Sequence, residues 1–245
     1  MITAAILVIG DEILSGRTKD SNIAYIAQFL TGIGIDLREA RVVPDLEAEI
    51  VAAVNALRAR YTYVFTTGGI GPTHDDITAD CIAKAFGVAI EENQAAIAMM
   101  LERYAPGDLN IARRRMARIP VGASLIENSI SKAPGFRLEN VIVMAGVPKI
   151  MQVMLDFAAK DLQTGKKMLS QSLEAAGLPE GLYGQALGEV AAAHPHVTIG
   201  SYPAFIDGGF RNQIVIRSND SAAIAQARAA VEAMLAQLTA ARKAP

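Results

Sequence analysis

The first two thirds of the chain alternate between short uninterrupted runs of apolar residues and longer stretches in which apolar residues recur every three or four positions. Apolar runs of this kind are typical of strands buried on both faces, and the longer spacing is typical of amphipathic helices. Residues 6–9 form such a run, and we predict further strands over 37–43, 63–66, 123–126 and 141–144. We predict helices over residues 20–30, from 45, over 75–86, 91–104 and 109–118, and from 148.

Strands that alternate with helices predict βαβ units and a parallel sheet. We therefore expect an α/β fold for residues 1–165, with a three-layer, doubly wound, mainly parallel sheet. Polar residues that commonly cap helices precede three of the helices: Asp20 or Ser21, then Asp45, then Asp75 or Asp76. Pro148 stands where a first-turn proline is tolerated.

The pattern changes near Gly165, and the remainder mixes strands and helices in another order. The clearest segments are predicted strands over 197–202 and 213–217 and a helix that begins near Asp220. We expect residues 166–245 to form a second, smaller α+β domain of ordinary size.

Composition limits the partners. The chain has 245 residues, of which 51% are hydrophobic, and its 23 basic and 25 acidic side chains leave a net charge of −2. This balance gives no electrostatic reason to expect nucleic acid or an anionic membrane as partner. The single cysteine, Cys81, excludes an internal disulfide, and the apolar start lacks the basic residues of a signal peptide. We expect a cytoplasmic protein without membrane spans, and we interpret Cys81 as a buried apolar residue rather than a catalytic thiol.

The segment from Thr66 to Thr78, TTGGIGPTHDDIT, contains the strongest candidate site. Glycines after a strand let backbone N–H groups approach a ligand, and a helix start favours an anion such as phosphate. Asp75 and Asp76 suit a hydrated Mg²⁺ or similar divalent metal that bridges to phosphate oxygens. The alternative is an ordinary glycine turn with one aspartate as cap. The predicted phosphate-binding residues here are Thr67, Gly68, Gly69, Gly71, Pro72, Thr73 and Thr78.

Polar residues also follow the other predicted parallel strands, where ligands bind in open sheets of this class. Gly10, Asp11 and Glu12 follow the first strand, Asp45 follows the second, and Gly146, Val147 and Pro148 follow a later one. We include all of them in the site, with Glu12 as a third metal-binding candidate. Solvated loops, a helix cap at Asp45 and ordinary turn chemistry are the alternatives.

Two further patterns favour structural interpretations. Arg113, Arg114, Arg115 and Arg118 are predicted to form a solvated helix face, with a phosphate clamp as the alternative. Gly181-Leu182-Tyr183-Gly184 has the spacing of RNA-clamping loops, but it lacks basic residues, so we interpret it as a tight turn.

Together these motifs resemble the molybdopterin-binding fold of the MoaB and MogA proteins, and more closely the N-terminal region of CinA proteins. The resemblance spans nearly the whole chain, although no counterpart of the CinA amidase domain is expected. The segment 199–203 is similar to the KH-like domain of CinA. The residues that carry the resemblance are Gly10–Leu14 with Asp20 and Asn22, Thr66–Thr78, Asn128 with Ala133–Phe136, and Gly146–Pro148.

The resemblance implies that the glycine loop binds the phosphate of a small-molecule nucleotide or pterin, with molybdopterin as one candidate ligand. It implies catalytic roles for Asp45 and Asp76, in metal-dependent adenylyl transfer as in MogA-like proteins or in hydrolysis of the ADP-ribose pyrophosphate bond as in CinA-like proteins. It also implies a homo-oligomer, either a dimer or a trimer.

The chain departs from the CinA pattern at two places. CinA proteins usually read NPVGTAPG where this chain reads NSISKAPG over 128–135, and they carry a glutamate where this chain has Ile150. These departures keep a second hypothesis open, a non-catalytic pterin- or nucleotide-binding protein. A third, RNA binding by the small domain, is disfavoured by the charge balance.

Overall fold

A computed structural model describes residues 2–175, 177–206 and 209–243, with Lys243 described by its backbone only. The chain folds as two compact units, Met1–Gly165 and Lys166–Pro245, each with its own hydrophobic core. Within the described residues, no helix is both long enough and apolar enough to cross a membrane.

The large unit contains a central sheet with helices on both sides. Its elements, in chain order, are β1 (Thr3–Ile9), α1 (Asp11–Leu14), α2 (Asn22–Gly32), β2 (Asp36–Val43), α3 (Glu47–Arg60), β3 (Tyr63–Thr67), α4 (Thr78–Phe86), β4 (Ile90–Glu92), α5 (Gln94–Leu101), α6 (Ile111–Arg114), β5 (Arg118–Pro120), β6 (Ser124–Ile126), β7 (Gly135–Leu138), β8 (Val141–Met144) and α7 (Pro148–Ala158).

The six-stranded sheet has the order β2-β1-β3-β8-β7-β6. The first four strands in this order are parallel, whereas β7 and β6 continue it in antiparallel fashion, which confirms the mainly parallel sheet. Alternate residues of β1 face opposite sides, as the pleat requires. Leu7 packs in the core beneath α3 and α4, and Ile6 packs in the core beneath α2 and α7. The three-layer arrangement is therefore also confirmed.

Several predicted helix boundaries are wrong because tertiary contacts take precedence over local periodicity. The predicted helix over 91–104 is divided, since Glu92 pairs with Arg118 in a small antiparallel β4–β5 sheet and α5 begins only after Asn93. The predicted helix over 109–118 is likewise reduced to the short α6 and a 3₁₀ turn over Arg115–Ala117.

Two of the predicted caps are wrong and one is confirmed. Asp20 accepts a hydrogen bond from the Ile23 N–H at 2.9 Å, at the start of α2. Asp45 caps no helix, because its carboxylate accepts a bond from the Asp11 backbone instead. Neither Asp75 nor Asp76 opens α4, which begins at Thr78.

Cys81 lies on α4 with its side chain 1% exposed, in the core on the α3–α4 side of the sheet. Burial raises the pKa of its thiol to about 12. Because the reactive species of cysteine is the thiolate, this side chain is suited to packing and not to catalysis, as the sequence predicts.

The small unit is an α+β fold, as expected from the sequence. It contains β9 (Leu169–Glu174), α8 (Glu180–Ala193), β10 (Thr198–Tyr202), β11 (Phe205–Ile206), β12 (Gly209–Phe210), β13 (Gln213–Ser218) and α9 (Ser221–Lys243). Its main sheet is antiparallel in the order β10-β13-β9, and its core contains residues of α8 and α9. The GxxG segment, Gly181–Gly184, lies within α8, so its interpretation as a tight turn is wrong. The KH-like relationship stays a prediction.

Candidate functional site

The carboxyl ends of the four parallel strands lie side by side at one edge of the large sheet. After β1, the Gly10 N–H donates to the Val43 carbonyl at the end of β2 at 3.2 Å. After β3, the Gly68 N–H donates to the Met144 carbonyl at the end of β8 at 3.2 Å. The structure therefore brings together the four strand ends to which the sequence assigns the candidate site.

The glycines after β3 are required by the close approach of other backbone and side-chain atoms. Gly68 has φ +103°, and a Cβ there would lie 2.1 Å from the Ile9 carbonyl oxygen. Gly69 has φ +66°, and a Cβ there would lie 2.1 Å from the Thr78 Oγ1. Gly146 packs directly against Gly68, whose Cα would be 3.3 Å from a Cβ at position 146. Any side chain at these positions would displace the loop.

Thr78 holds the loop from the protein side. Its hydroxyl donates to the Gly68 carbonyl at 3.0 Å, and its backbone N–H donates to the Gly69 carbonyl at 3.0 Å. The residue is fully buried. Its predicted role as a direct ligand contact is therefore better described as positioning, since its hydroxyl proton is used within the protein.

The backbone N–H groups on the outer part of the loop remain available. Those of Gly69, Ile70 and Gly71 have no acceptor among the described residues, and neither have those of Gly146 and Val147 at the start of α7. Successive free N–H groups form a concave donor surface that suits an anion. The N–H of Gly68, by contrast, is already used by Met144.

A compact turn separates the glycine loop from α4. The Asp76 carboxylate accepts hydrogen bonds from the Thr73 N–H, at 2.8 Å, and from the Thr73 hydroxyl. The hydroxyl of Thr73, predicted as a phosphate donor, is thus turned towards its own loop. Pro72 and Asp75 are exposed on the same turn. The predicted direct passage from loop to helix is wrong, because the turn inserts residues 72–77 between them.

Acidic side chains gather beside the loop. The Asp45 Oδ2 accepts a hydrogen bond from the Asp11 N–H at 3.0 Å. Burial raises the pKa of the Asp45 carboxyl above its ordinary value, and the hydrogen bond from Asp11 only partly offsets this. Repulsion from the carboxylates of Asp11, Glu12 and Asp75 raises that pKa further. A cation, or a proton shared with a ligand, would relieve this repulsion.

The described residues contain no group of three or more His, Cys, Asp or Glu side chains spaced to hold a metal ion by themselves. Mg²⁺ commonly uses only one or two protein carboxylates and completes its coordination with water and substrate phosphate. The oxygen donors of Asp45, Glu12, Asp75 and Asp76 fit a metal held in that way.

A narrow cleft opens on the other side of the glycine loop. Arg118 and Asp80 form a two-pronged ion pair in it, with hydrogen bonds of 3.0 and 2.6 Å. Arg115 also faces this cleft, so the predicted solvated arginine face is wrong for these two residues. The cleft is lined by Gly69, Ile70, Gly71, Asp76, Ala79, Asp80, Arg115, Met116, Arg118, Ile119, Pro134 and Phe136.

Buried polar atoms without a partner lie around the same edge. In the described part of the chain they are Asn22 Oδ1, Thr66 Oγ1, Thr67 Oγ1 and Arg115 Nε. Thr66 and Thr67 end β3, Asn22 donates to the Gly146 carbonyl at 2.8 Å, and Arg115 lines the cleft. Buried polar atoms are nearly always hydrogen-bonded, so each of these atoms indicates a place for water or a polar ligand atom near the strand ends.

The sequence assigned no functional role to Asn22, and it offered Arg115 a phosphate-clamp role only as the alternative shared with three other arginines. Asn22 appears in the sequence as part of a motif, but its bond to Gly146 joins residues 124 positions apart. Arg115 lies in a run of arginines with no local signal that separates it from its neighbours. The Asn22 contact depends on the fold, which brings the start of α2 to the end of β8, and Arg115 is distinguished only by its position in the folded cleft.

Comparison with known proteins agrees with this geometry. A family described as "Probable molybdopterin binding domain" matches residues 5–164, and one described as "FAD synthase, middle domain" matches residues 167–243. A protein of Pyrobaculum calidifontis is 33% identical over 213 residues, which cover 83% of this chain and 81% of that protein. A protein of Caldivirga maquilingensis is 35% identical over 194 residues, which cover 76% of each.

A solved structure supports the same assignment for the large unit. The crystal structure of the protein CinA "with unknown function" from Thermoplasma acidophilum is 37% identical to this chain and superposes with a TM-score of 0.62. The match covers 65% of this chain and 96% of that one. The fold, the site at the strand ends and the family match lead to one conclusion: the chain belongs to the family of probable molybdopterin-binding domains.

Proposed function

We propose that the large unit binds the phosphate groups of a nucleotide or pterin at the carboxyl edge of its sheet, and that it hydrolyses a pyrophosphate bond in ADP-ribose-like nucleotides with the help of a divalent metal. The observation that carries this proposal is the set of N–H groups at two neighbouring strand ends, those of Gly69, Ile70 and Gly71 and those of Gly146 and Val147, that have no acceptor among the described residues. Such donors favour an anionic, oxygen-rich ligand.

In this proposal the loop positions the substrate. The N–H groups of Gly69, Ile70 and Gly71 hold the phosphate that does not react, and those of Gly146 and Val147 approach it from the neighbouring strand end. Fixed donors of this kind accelerate phosphoryl transfer by positioning and by stabilising charge. A divalent metal held by one or two of the Glu12, Asp75 and Asp76 carboxylates, with water and phosphate oxygens completing its coordination, would compensate the phosphate charge.

Asp45 is the proposed general base. Its raised pKa increases the affinity of the carboxylate for a proton, which suits a base that acts near neutral pH. The carboxylate accepts a proton from a water molecule as the water oxygen forms a bond to phosphorus. The bridging P–O bond breaks, and its electron pair leaves with the departing phosphate. The products from ADP-ribose are AMP and ribose 5-phosphate.

The small unit gives independent support for a dinucleotide substrate. It matches the middle domain of FAD synthase, a family named after a compound that contains an ADP moiety and a pyrophosphate. ADP-ribose contains the same moiety. Because FAD and ADP-ribose share an ADP group, this match favours an ADP-containing compound among the candidate ligands.

The test is a hydrolysis assay with ADP-ribose and FAD in the presence of Mg²⁺, Mn²⁺ or Co²⁺, with product analysis by mass spectrometry. We expect Asp45→Asn to reduce kcat by roughly 10²- to 10⁴-fold, the usual range for loss of a general base. The matched control is Asp156→Asn, which removes an exposed carboxylate from α7. Equal rates for the two variants would exclude Asp45 as the base.

The same assay separates the alternatives. Tight binding of these nucleotides without turnover would favour a non-catalytic binding protein. Consumption of ATP only when molybdopterin is added would favour an adenylyltransferase of the MogA type. Indifference to every phosphate compound, in calorimetry as well as in turnover, would contradict the proposal as a whole.

A further inference from the structure

Four arginines lie close together in the sequence, and three of them have defined partners. Arg113 packs over the Tyr104 ring and donates to the Asp108 carbonyl at 2.6 Å. Arg114 forms a two-pronged ion pair with Glu92. Arg118 forms the corresponding pair with Asp80. Their charges are used in holding the structure together.

Arg115 differs from these neighbours. Its Nη2 donates to the Asp76 carbonyl at 3.3 Å, a long bond, and its Nε is buried without a partner. No carboxylate of the described residues forms an ion pair with it. The side chain nevertheless lines the cleft beside Gly69, Gly71 and Asp76, where a charged group without compensation is costly.

A guanidinium has five N–H donors in a planar fork that matches two oxygens of a phosphate. The Arg115 head is bonded through Nη2 to the backbone of the turn that follows the glycine loop, and it lines the same cleft as Gly69 and Gly71, whose N–H groups have no acceptor among the described residues. An anion bound in this cleft would offer an acceptor to the unpartnered Nε–H.

We propose that Arg115 is a phosphate-binding residue of this site, one that contacts the ligand in the cleft it shares with the glycine loop. This inference rests on the proposed function, because it supplies a second contact to the same class of ligand. Arg115 lines the cleft, whereas Arg114 is exposed and paired with Glu92.

The test measures binding of inorganic pyrophosphate by calorimetry to the full chain and to three variants. We expect Arg115→Gln to bind about 10- to 100-fold more weakly than wild type, the scale of one charge-assisted contact. Arg115→Lys keeps the charge but loses the fork, and should recover only part of the affinity. Arg114→Gln is the matched control, since it removes an adjacent arginine whose partner lies outside the cleft, and it should bind as wild type does.

The unliganded thermal transition gives a check on folding. Arg115→Gln and Arg115→Lys should unfold cooperatively within a few degrees of wild type, because the Nε–H of Arg115 has no partner to lose and the bond from its Nη2 to the Asp76 carbonyl is long, at 3.3 Å. Equal affinities of wild type, Arg115→Gln and Arg114→Gln would overturn the inference, and so would a wild-type protein that does not bind pyrophosphate.

The ADP-ribose assay distinguishes this inference from the proposed function. Turnover of ADP-ribose that is unaffected by Arg115→Gln would overturn the role of Arg115 and leave the proposed hydrolysis standing. Pyrophosphate binding that depends on Arg115, without turnover of ADP-ribose or FAD, would support the inference and contradict the hydrolysis.

Discussion

The ionised carboxylate of Asp45 lowers the stability of the folded protein. Burial and the neighbouring carboxylates raise its pKa above the ordinary value of 3.8. A carboxyl whose pKa is raised on folding binds its proton more tightly in the folded state. The folded state is therefore favoured as the pH falls through the folded pKa towards the ordinary value, and disfavoured as the pH rises again.

We therefore expect Asp45→Asn to be more stable than wild type at pH 7, and the difference to shrink towards pH 4. The amide keeps an oxygen that can accept the Asp11 N–H, so the loop contact survives the substitution. Urea unfolding at both pH values measures the effect. If the difference in unfolding free energy between wild type and Asp45→Asn were the same at pH 7 and pH 4, this interpretation of the acidic cluster would be contradicted. For the control Asp156→Asn, the difference from wild type should not change between the two pH values.

Gly69 and Gly87 provide a matched comparison of backbone and contact effects. Their φ angles are +66° and +67°, but a Cβ at Gly87 would meet nothing within 4 Å, whereas one at Gly69 would meet the Thr78 hydroxyl. We expect Gly87→Ala to cost about 1 kcal/mol of unfolding free energy from the left-handed conformation alone. Gly69→Ala should cost more and should also weaken phosphate binding.

Chemical denaturation and phosphate-binding calorimetry on both variants would measure this. Equal losses of stability, with phosphate affinity retained in Gly69→Ala, would show that the loop tolerates a side chain facing Thr78.

At the scale of elements, α2 supports the turn that opens α7. The Asn22 side chain, 4% exposed, donates to the Gly146 carbonyl at 2.8 Å and so joins the start of α2 to the end of β8. A hydrogen bond that crosses between elements in this way fixes the direction of the neighbouring N–H groups. The positions of Gly146 and Val147 therefore depend on Asn22.

We expect Asn22→Ala to lower the unfolding free energy by about 1 kcal/mol and to weaken pyrophosphate binding. The control is Asn93→Ala, which removes the side-chain cap of α5 and should cost a similar ~1 kcal/mol. Calorimetry should show full pyrophosphate affinity for the control. Unchanged affinity in Asn22→Ala would show that the turn keeps its shape without this bond.

The sequence predicts the elements of the sheet better than those that flank the cleft. The strands ending at Ile9 and Met144 are buried apolar runs, and a local pattern identifies such runs well. The start of α4 and the division of the helix over 109–118 depend on contacts from distant residues. Local periodicity contains no information on such contacts, so Arg115 could not be separated from its neighbours.

For the molecule as a whole, the two units have separate cores. The large unit buries two clusters, one on each face of its sheet, and the small unit buries a third around β13, α8 and α9. A domain with its own core can fold alone. We expect a fragment of residues 1–165 to unfold cooperatively and to bind pyrophosphate with the affinity of the full chain.

Calorimetric melting and titration of that fragment test the expectation. A fragment that melts without a cooperative transition, or that loses affinity for pyrophosphate, would show that the small unit contributes to the stability or the site of the large one. The dimer or trimer expected from the resemblance stays a prediction, which light scattering on the full chain can decide.

The sheltered thiol on α4 makes this protein convenient for spectroscopic labelling. Cys81 is the sole cysteine, and with its pKa raised to about 12 it offers almost no thiolate to a maleimide at neutral pH. A cysteine introduced by Val147→Cys, at a position 57% exposed on the rim of the site, would therefore take up a fluorophore selectively. Ligand arrival could then be followed by fluorescence without first removing the native cysteine.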